Sequence, residues 1–291
     1  MNARSKMGFG CVGLSAQPFE SGALKLLEVA YNEGIIHFDT APLYGKGYSE
    51  KILGRFLKGK RDKVTVTTKF GLPGGASKNI PAWLALPLNQ LKKIKKGKSS
   101  VKGQFQLPGL LSHRQIGIDL VRTGFEKSLH NLQTDYIDYY LLHEALPSFL
   151  TEEALLYVVE LKKKGLIKRI GIAASYPNLK NIGPATIRDW DILQYENSLL
   201  HPSENLLDSF IDKKHFYHSV LKPLAYKEIS TELKDKAAGI LLARAVQMNR
   251  EGIILFSSSR NNNIKTNLQN LDAYSKYSVE ELNNILSNAI H

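Results

Sequence analysis

The strongest constraint on this 291-residue chain is its rhythm: short runs rich in β-branched and aromatic residues alternate with helical patterns from end to end. Such alternation is the sequence mark of βαβ units and a parallel sheet. The strand-like runs are GFGCVGL (8–14), IIHFDT (35–40), KVTVTTKFG (63–71), YIDYYLLH (136–143), IKRIGIAAS (167–175), DILQYENS (191–198), FYHSVLKPLA (216–225) and GIILFSSS (252–259). Helices are predicted over about 22–33, 49–57, 115–132, 151–165, 177–189, 203–214, 233–250, 261–273 and 279–289. Gly34 is placed as the C′ residue of the first helix and Ser49 as the N-cap of the second. Thr151, followed by Glu152 and Glu153, starts another with a cap and negative charge at its N-terminus. No Gly/Ser-rich or Pro-rich linker divides the chain into two cores. Eight strand–helix pairs therefore favour an α/β fold of one domain over residues 1–291, a closed (β/α)8 TIM barrel rather than an open doubly wound sheet.

Composition removes several other classes. At 43% hydrophobic and 23% charged residues, the chain is neither disordered nor collagen-like. No apolar run reaches the roughly 18 residues that would span a bilayer. The opening MNARSKMGFGCVGLSA has no secretory pattern, and the single Cys11 excludes an internal disulfide. A cytoplasmic protein without a membrane partner is the expectation. The net charge of +12 would normally raise nucleic acid as a partner. Ten of the 39 basic residues, however, lie between Asp62 and Asp119, where there is no acidic residue; the other 29 nearly balance 27 acidic ones. The excess belongs to a long connection, residues 72–114, at the catalytic face of the expected barrel. It holds LKKIKKGKSS together with Trp83, Leu84, Leu86 and Phe105. The lysines read either as a solvated tip or as attraction for an anionic substrate or cofactor phosphate. Without interleaved aromatics or a binding motif, the run does not read as a nucleic-acid site.

In barrels of this kind chemistry sits at the C-terminal ends of the strands. Asp39 ends the second strand, Lys69 the third and His143 the fourth, Gln194 lies in the sixth, and Tyr44 follows in the loop after Asp39. Asp and Lys at partly buried strand ends are costly unless paired, so a purely structural Asp39–Lys69 pair is one reading. The other is catalytic. A lysine ammonium beside a phenol favours phenolate, an aspartate keeps that lysine charged, and a histidine can hydrogen-bond a carbonyl oxygen. Such a group fits carbonyl reduction with a hydride supplied by a cofactor, because no side chain can supply one. The remaining histidines (His37, His113, His130, His201, His215, His218 and His291) show no metal-binding spacing, so no metal is expected. Cys11 reads as a packing residue.

The stretch FDTAPLYGKGYSEKILG (38–54), with TTKFG (67–71) and DYIDYYLLHE (135–144), resembles the aldo-keto reductase family. GLIKRIGIAAS (165–175), LQYENSLLHP (193–202) and IILFSSSRNNNIKTNL (253–268) follow in the expected order. The resemblance covers about residues 7 to 270. It implies a barrel that binds NADPH, or NADH, across its mouth and reduces an aldehyde or ketone to an alcohol. Tyr44, Lys69, Asp39 and His143 would form the catalytic tetrad, with Tyr44 the proton donor. Gln194 and Ser175 would meet the nicotinamide. Ser257, Ser258, Arg260, Asn263 and Asn267 fall where the family holds the adenosine phosphate and adenine, at the N-terminal end of the last barrel helix.

This chain also departs from the family's pattern. Where Ser-Asn usually follows the fifth strand, it reads Ala173-Ala174, with Ser175 one step on. The usual Tyr-Ser-Pro-Leu after the seventh strand reads Leu221-Lys222-Pro223-Leu224, leaving Tyr217 or Tyr226 as substitutes for the stacking aromatic. The usual Lys and Arg of the 2′-phosphate region read Ser257 and Asn263, with Arg260 and Lys265 close by. NADPH is favoured over NADH on this pattern. A cofactor-binding sensor without turnover, like the potassium-channel β-subunits, is the alternative function.

Overall fold

The computed structural model describes residues 3–72, 115–249 and 251–290. Its frame is eight strands: β1 (Met7–Gly10), β2 (His37–Asp39), β3 (Thr65–Phe70), β4 (Ile137–His143), β5 (Ile167–Ala173), β6 (Ile192–Glu196), β7 (Lys214–His218) and β8 (Ile253–Phe256). Every neighbouring pair is parallel and β8 returns to β1, so the sheet closes into a barrel in sequence order. Outside it lie α1 (Glu20–Asn32), α2 (Tyr48–Leu57), α3 (Ile118–Leu132), α4 (Glu152–Lys163), α5 (Tyr176–Leu179), α6 (Glu204–Ser209), α7 (Pro223–Tyr226), α8 (Ala237–Met248), α9 (Asn261–Tyr274) and α10 (Val279–Ser287). The (β/α)8 fold expected from the alternation is the fold observed. The basic connection falls almost wholly on residues 73–114, outside the described residues, as do Trp83, Leu84, Leu86 and Phe105.

Side chains alternate between the barrel interior and the helices with the period of two that strands impose. Low in the barrel, the rings of His37, Tyr139 and Phe216 meet edge to face, with centroids 5.2 to 5.4 Å apart. Burial, aided by Lys214 and Lys69, lowers the His37 pKa to about 3, so this ring is a neutral core residue. Thr65 and Thr67 satisfy its nitrogens at 2.9 and 3.2 Å. Above it pack Leu141, Ile192, Ile253 and Leu255. Gly171 leaves them room, since a Cβ there would lie 2.6 Å from Leu141 Cδ2 and 2.7 Å from Ile192 Cβ. The next inward residues, at the strand ends, are Asp39, Lys69, His143 and Gln194. The interior is a filled core, in which His37 is satisfied by two threonines, and the charged groups Asp39 and Lys69 stand at its mouth.

Several local expectations need correction. The helix expected over 177–189 is one turn of α5 followed by a 3-10 turn, Pro184–Ile187. Gly183 and Pro184 interrupt any continuous ladder of hydrogen bonds. The strand expected over 216–225 begins at Lys214 and ends at His218, and Pro223 opens α7 instead. β1 stops at Gly10, where a 3-10 helix, Cys11–Ala16, takes over. Gly34 does sit past α1 with φ 92, and Thr151 Oγ1 does cap α4 by accepting from Ala154 N at 3.3 Å. Ser49 is not an N-cap. Gly47 occupies that position for α2, and Ser49 Oγ donates to Cys11 O at 3.0 Å while meeting Thr40 Oγ1 at 2.9 Å.

Glu50, fully buried on α2, ties three elements together. Its carboxylate accepts from Thr68 Oγ1 on β3 and from Ser128 Oγ on α3, each at 2.8 Å, and from Asn131 Nδ2 at 3.0 Å. Burial pushes its pKa up against these three bonds. Ionising Glu50 therefore costs the folded state, and its contribution to stability falls as pH rises through that raised pKa. Glu50→Ala strands three buried donors and is expected to cost about 2–4 kcal/mol in urea unfolding. Glu50→Gln keeps an acceptor and should lose much less. Its stability relative to wild type should improve from about pH 4 to about pH 7.

Candidate active site

The chain after β2 is folded so as to return Tyr44 to the barrel mouth. Thr40 N donates to Thr67 O at 2.8 Å, and Tyr44 N donates to Ala41 O at 3.0 Å. Beyond Tyr44 the backbone turns through three left-handed residues, Gly45 (φ 57), Lys46 (φ 57) and Gly47 (φ 87), before α2 begins. The turn and the buried Ser49 anchor hold the phenol over the end of β3.

There Lys69 Nζ donates to Asp39 Oδ1 at 2.7 Å, to Thr40 O at 3.0 Å and to Tyr44 Oη at 3.4 Å. The second Asp39 oxygen accepts from Gln194 Nε2 at 3.0 Å. The Tyr44 and His143 rings meet edge to face at 6.2 Å. These five residues line one cleft of about 360 Å³, with Gly10, Ala173, Leu221, Phe256 and Ser257 around them. The structure thus brings together Asp39, Tyr44, Lys69, His143, Gln194 and Ser257 from five separate segments of the chain.

Burial and charge set the protonation states. Burial opposes the Lys69 ammonium, but Asp39 and Tyr44 more than compensate and raise its pKa, so the lysine stays charged. For Asp39, burial pushes upward while Lys69 and Gln194 pull down; at 2.7 Å from an ammonium we read the carboxylate as ionised. Burial also raises Tyr44, with Lys69 working against it, so the resting side chain is a phenol rather than a phenolate. His143 is held well below the ordinary histidine value by burial, then by the charges of Lys69 and His218. It is a neutral imidazole at neutral pH. The cleft therefore offers a proton on Tyr44, a hydrogen-bonding imidazole beside it, and a cation behind the phenol.

Ser257, in the lining, donates its Oγ hydrogen to Gly10 O at 2.8 Å. The remaining sequence-predicted residues lie outside that lining. Ser258 Oγ is engaged in a local turn, donating to Arg260 O at 2.9 Å and accepting from Arg260 N at 3.1 Å. Arg260 and Asn263 are exposed where α9 starts, and Asn267 is buried one turn further along that helix. Ser175 precedes α5, and its backbone N–H is directed to the Glu144 carboxylate. Neither substitute for the stacking aromatic reaches the cleft. Tyr217 is buried on the outer side of β7 against Tyr195, at 5.3 Å between ring centroids, and Tyr226 is exposed on α7. Sequence reasoning missed His218, Glu144 and Lys222 as lining residues. His218 could have been found only by placing the end of β7 correctly.

One buried atom bears on a cofactor. Gln194 Oε1 has no hydrogen-bond partner, although Gln194 is 3% exposed and lines the cleft. Buried polar atoms are rarely left unpaired, and an acceptor here fits a ligand amide such as a nicotinamide carboxamide. Among the described residues no group of three or more His, Cys, Asp or Glu could hold a metal ion. No described helix is long and apolar enough to cross a membrane. Cys11 is buried with its thiol pKa raised by burial, which leaves it unreactive.

The eight-stranded barrel and the Asp–Tyr–Lys–His group at its mouth define a class, and comparison with known proteins agrees with it. The Aldo/keto reductase family model matches residues 6–225, and the chain belongs to that family. It is 29% identical over 179 residues to "Probable aldo-keto reductase 1" of Glycine max, a match covering 60% of this chain and 42% of that protein. It is 30% identical over 270 residues to "NADH-specific methylglyoxal reductase" of Escherichia coli, covering 86% of this chain and 73% of that one. For the first curated relatives the matched stretch spans under half of their own length, 42% and 46%. Among solved structures, an aldo-keto reductase from Bacillus halodurans in its holo form superposes with a TM-score of 0.67 at 20% identity, covering 95% of this chain and 91% of that one. An aldo-keto reductase from Klebsiella pneumoniae in complex with NADPH gives 0.65 at 18% identity, with 97% and 90% covered.

The electrostatics of the mouth can be tested without a substrate. His143 should not titrate between about pH 5.5 and 8, so its ring resonances in NMR should stay fixed across that window. A full titration step there would contradict a neutral, buried imidazole beside Lys69.

Proposed function

We propose that the chain reduces an aldehyde or ketone to an alcohol, with a nicotinamide cofactor as reductant and Tyr44 as proton donor. The observation that carries this reading is the position of Lys69 Nζ, 2.7 Å from Asp39 Oδ1 and 3.4 Å from Tyr44 Oη inside the cleft. A nicotinamide cofactor, when bound, would supply the hydride that a carbonyl carbon needs. A carbonyl oxygen lodged between Tyr44 and His143 accepts a hydrogen bond from each. As negative charge grows on that oxygen, the Tyr44 proton moves to it, and the ammonium of Lys69 stabilises the phenolate left behind. Asp39 keeps Lys69 charged and aimed at the phenol.

Gln194 would hold the carboxamide through its unpaired Oε1, which fits a nicotinamide at this end of the cleft. Toward the adenosine end, Ser258, Arg260, Asn263 and Asn267 are grouped about the start of α9, where helix N–H groups favour an anion. Arg260 makes NADPH the favoured form, although one relative named above carries an NADH-specific name. A small polar carbonyl suits the cleft, and a cytoplasmic setting suits the free, unpaired Cys11.

A second reading rests on a separate observation. The Ser257 and Ser258 hydroxyls are spent on Gly10 O and Arg260, and Leu221 stands at the cleft where an aromatic would stack. Looser cofactor contacts of this kind suit a sensor that binds NADPH without turning it over. One experiment separates the two. Loss of absorbance at 340 nm is followed against a panel of carbonyls, beside fluorescence titration with NADPH and NADH. Tyr44→Phe should lower kcat by about 10²–10⁴-fold while leaving the cofactor Kd within about twofold. Binding of cofactor with no turnover on any carbonyl would favour the sensor, and a Tyr44→Phe variant as active as wild type would remove Tyr44 from the chemistry.

A further inference from the structure

The cleft holds a second imidazole that the reaction above does not use. His218 is the last residue of β7 and lines the same cleft as Tyr44, Lys69 and His143. Its backbone is anchored, because its carbonyl accepts from Asn197 N at 3.2 Å. The ring is anchored too, with Nδ1 at 2.9 Å from Ser219 Oγ.

The residue that makes this second contact has an unusual backbone. Ser219 has φ 59, in the left-handed region that non-glycine residues occupy at a cost. Four non-glycine residues do so among those described: Lys46, Gln133, Glu144 and Ser219. Gln133 simply ends α3. The other three stand beside cleft groups, Lys46 two residues after Tyr44, Glu144 directly after His143, and Ser219 directly after His218. Three of the four left-handed residues thus flank cleft groups, and one of them, Ser219, carries the hydroxyl that meets the His218 ring.

With Nδ1 engaged, Nε2 is the free atom of the ring, and no described residue hydrogen-bonds it. Burial makes the ring neutral, its pKa lowered to about 4; Glu196 opposes this, while Lys69 and Lys222 add to it. A neutral imidazole presents either an N–H or a lone pair at Nε2, depending on which way the Ser219 hydroxyl turns. It can therefore donate to a keto oxygen or accept from a hydroxyl. The two histidines are close enough that charge on His218 weighs on His143. Both rings line the one cleft of about 360 Å³.

We propose that His218 is a specificity-determining residue whose Nε2 hydrogen-bonds a second substrate oxygen, on the carbon next to the carbonyl held by Tyr44 and His143. The preferred substrates are then 2-hydroxy and 2-oxo carbonyl compounds, and the inference rests on the reductase reading above. A site built to pair with an oxygen discriminates against the analogue that lacks it, because the polar group is then left unpaired.

The test compares matched substrates with NADPH, hydroxyacetone against butanone and methylglyoxal against propionaldehyde. Wild type should favour the oxygenated member of each pair by about tenfold or more in kcat/KM, the equivalent of one net hydrogen bond. His218→Leu should erase that preference by lowering the oxygenated member about 10- to 100-fold, with the other member within about threefold. His218→Gln, which can place an amide near the position of Nε2, should restore part of it. Ser219→Gly relieves the left-handed strain at an exposed position, so folding is not at risk, and frees the ring; it should weaken the preference without lowering Tm. Two results would overturn the assignment: a preference that survives in both the Leu and Gly variants, or both members of a pair falling together. If wild type reduces carbonyls without favouring the oxygenated ones, this inference alone fails. If it reduces none while still binding NADPH, the reductase reading fails and this inference with it.

Discussion

The mouth of the barrel depends on one buried ion pair, Lys69 with Asp39, whose side chains are 2% and 4% exposed. Taking two charges out of water costs several kcal/mol per ion, and their attraction offsets this only when geometry and further hydrogen bonds are good. Here they are good. Lys69 also reaches Thr40 O and Tyr44 Oη, and Asp39 also accepts from Gln194. The pair connects β2, β3, β6 and the loop that carries the phenol. A well-packed apolar pair would often be as stable or more stable in such a place, so stability alone does not account for it. Its third contact fits the proposed reaction, in which the ammonium would stand beside a phenolate.

Much of this was legible in the sequence, for a reason rooted in strand geometry. A period of two fixes which strand residues face inward, and the parallel closed sheet puts their last members at one rim. Asp39, Lys69, His143 and Gln194 could thus be placed together from hydrophobic runs and their endings. The capping of α4 by Thr151 and the left-handed Gly34 after α1 were equally readable, because each depends on a few local atoms. What failed depended on tertiary partners. Ser49 has the composition of an N-cap, yet its hydroxyl is claimed by Cys11 O and Thr40, whose proximity exists only in the folded barrel. The run 177–189 has apolar residues at helical spacing, but Pro184 and Gly183 limit it to two short turns.

The misplacement of β7 had the largest consequence. FYHSVLKPLA reads as one continuous strand because Val, Leu and Tyr suit a pleated sheet. The chain in fact leaves the sheet at Ser219, where a left-handed backbone reverses it. Extending the strand buries His218 in its middle, where a histidine is unremarkable. Ending it at His218 turns the same residue into a member of the rim. The lesson is general for barrels: an error of a few residues in a strand boundary leaves the fold unchanged and rewrites the site.

The rim also shows how one proton can be singled out in a crowded polar cleft. Lys69 is charged and offset by Asp39, while His143 and His218 are neutral because burial and Lys69 disfavour a second cation. Tyr44 stays a phenol because burial outweighs the pull of the ammonium on the free enzyme. A carbonyl oxygen gaining negative charge at this rim changes that balance. It lies next to a phenol whose conjugate base is already provided for by a cation, and next to an imidazole whose N–H has no comparable cation behind it. On the proposed reaction, the proton leaves from Tyr44 rather than His143 because removing it creates a charge the site can stabilise. An imidazolate would meet no such support. On that reading the buried pair decides which residue is the acid and which only orients the substrate.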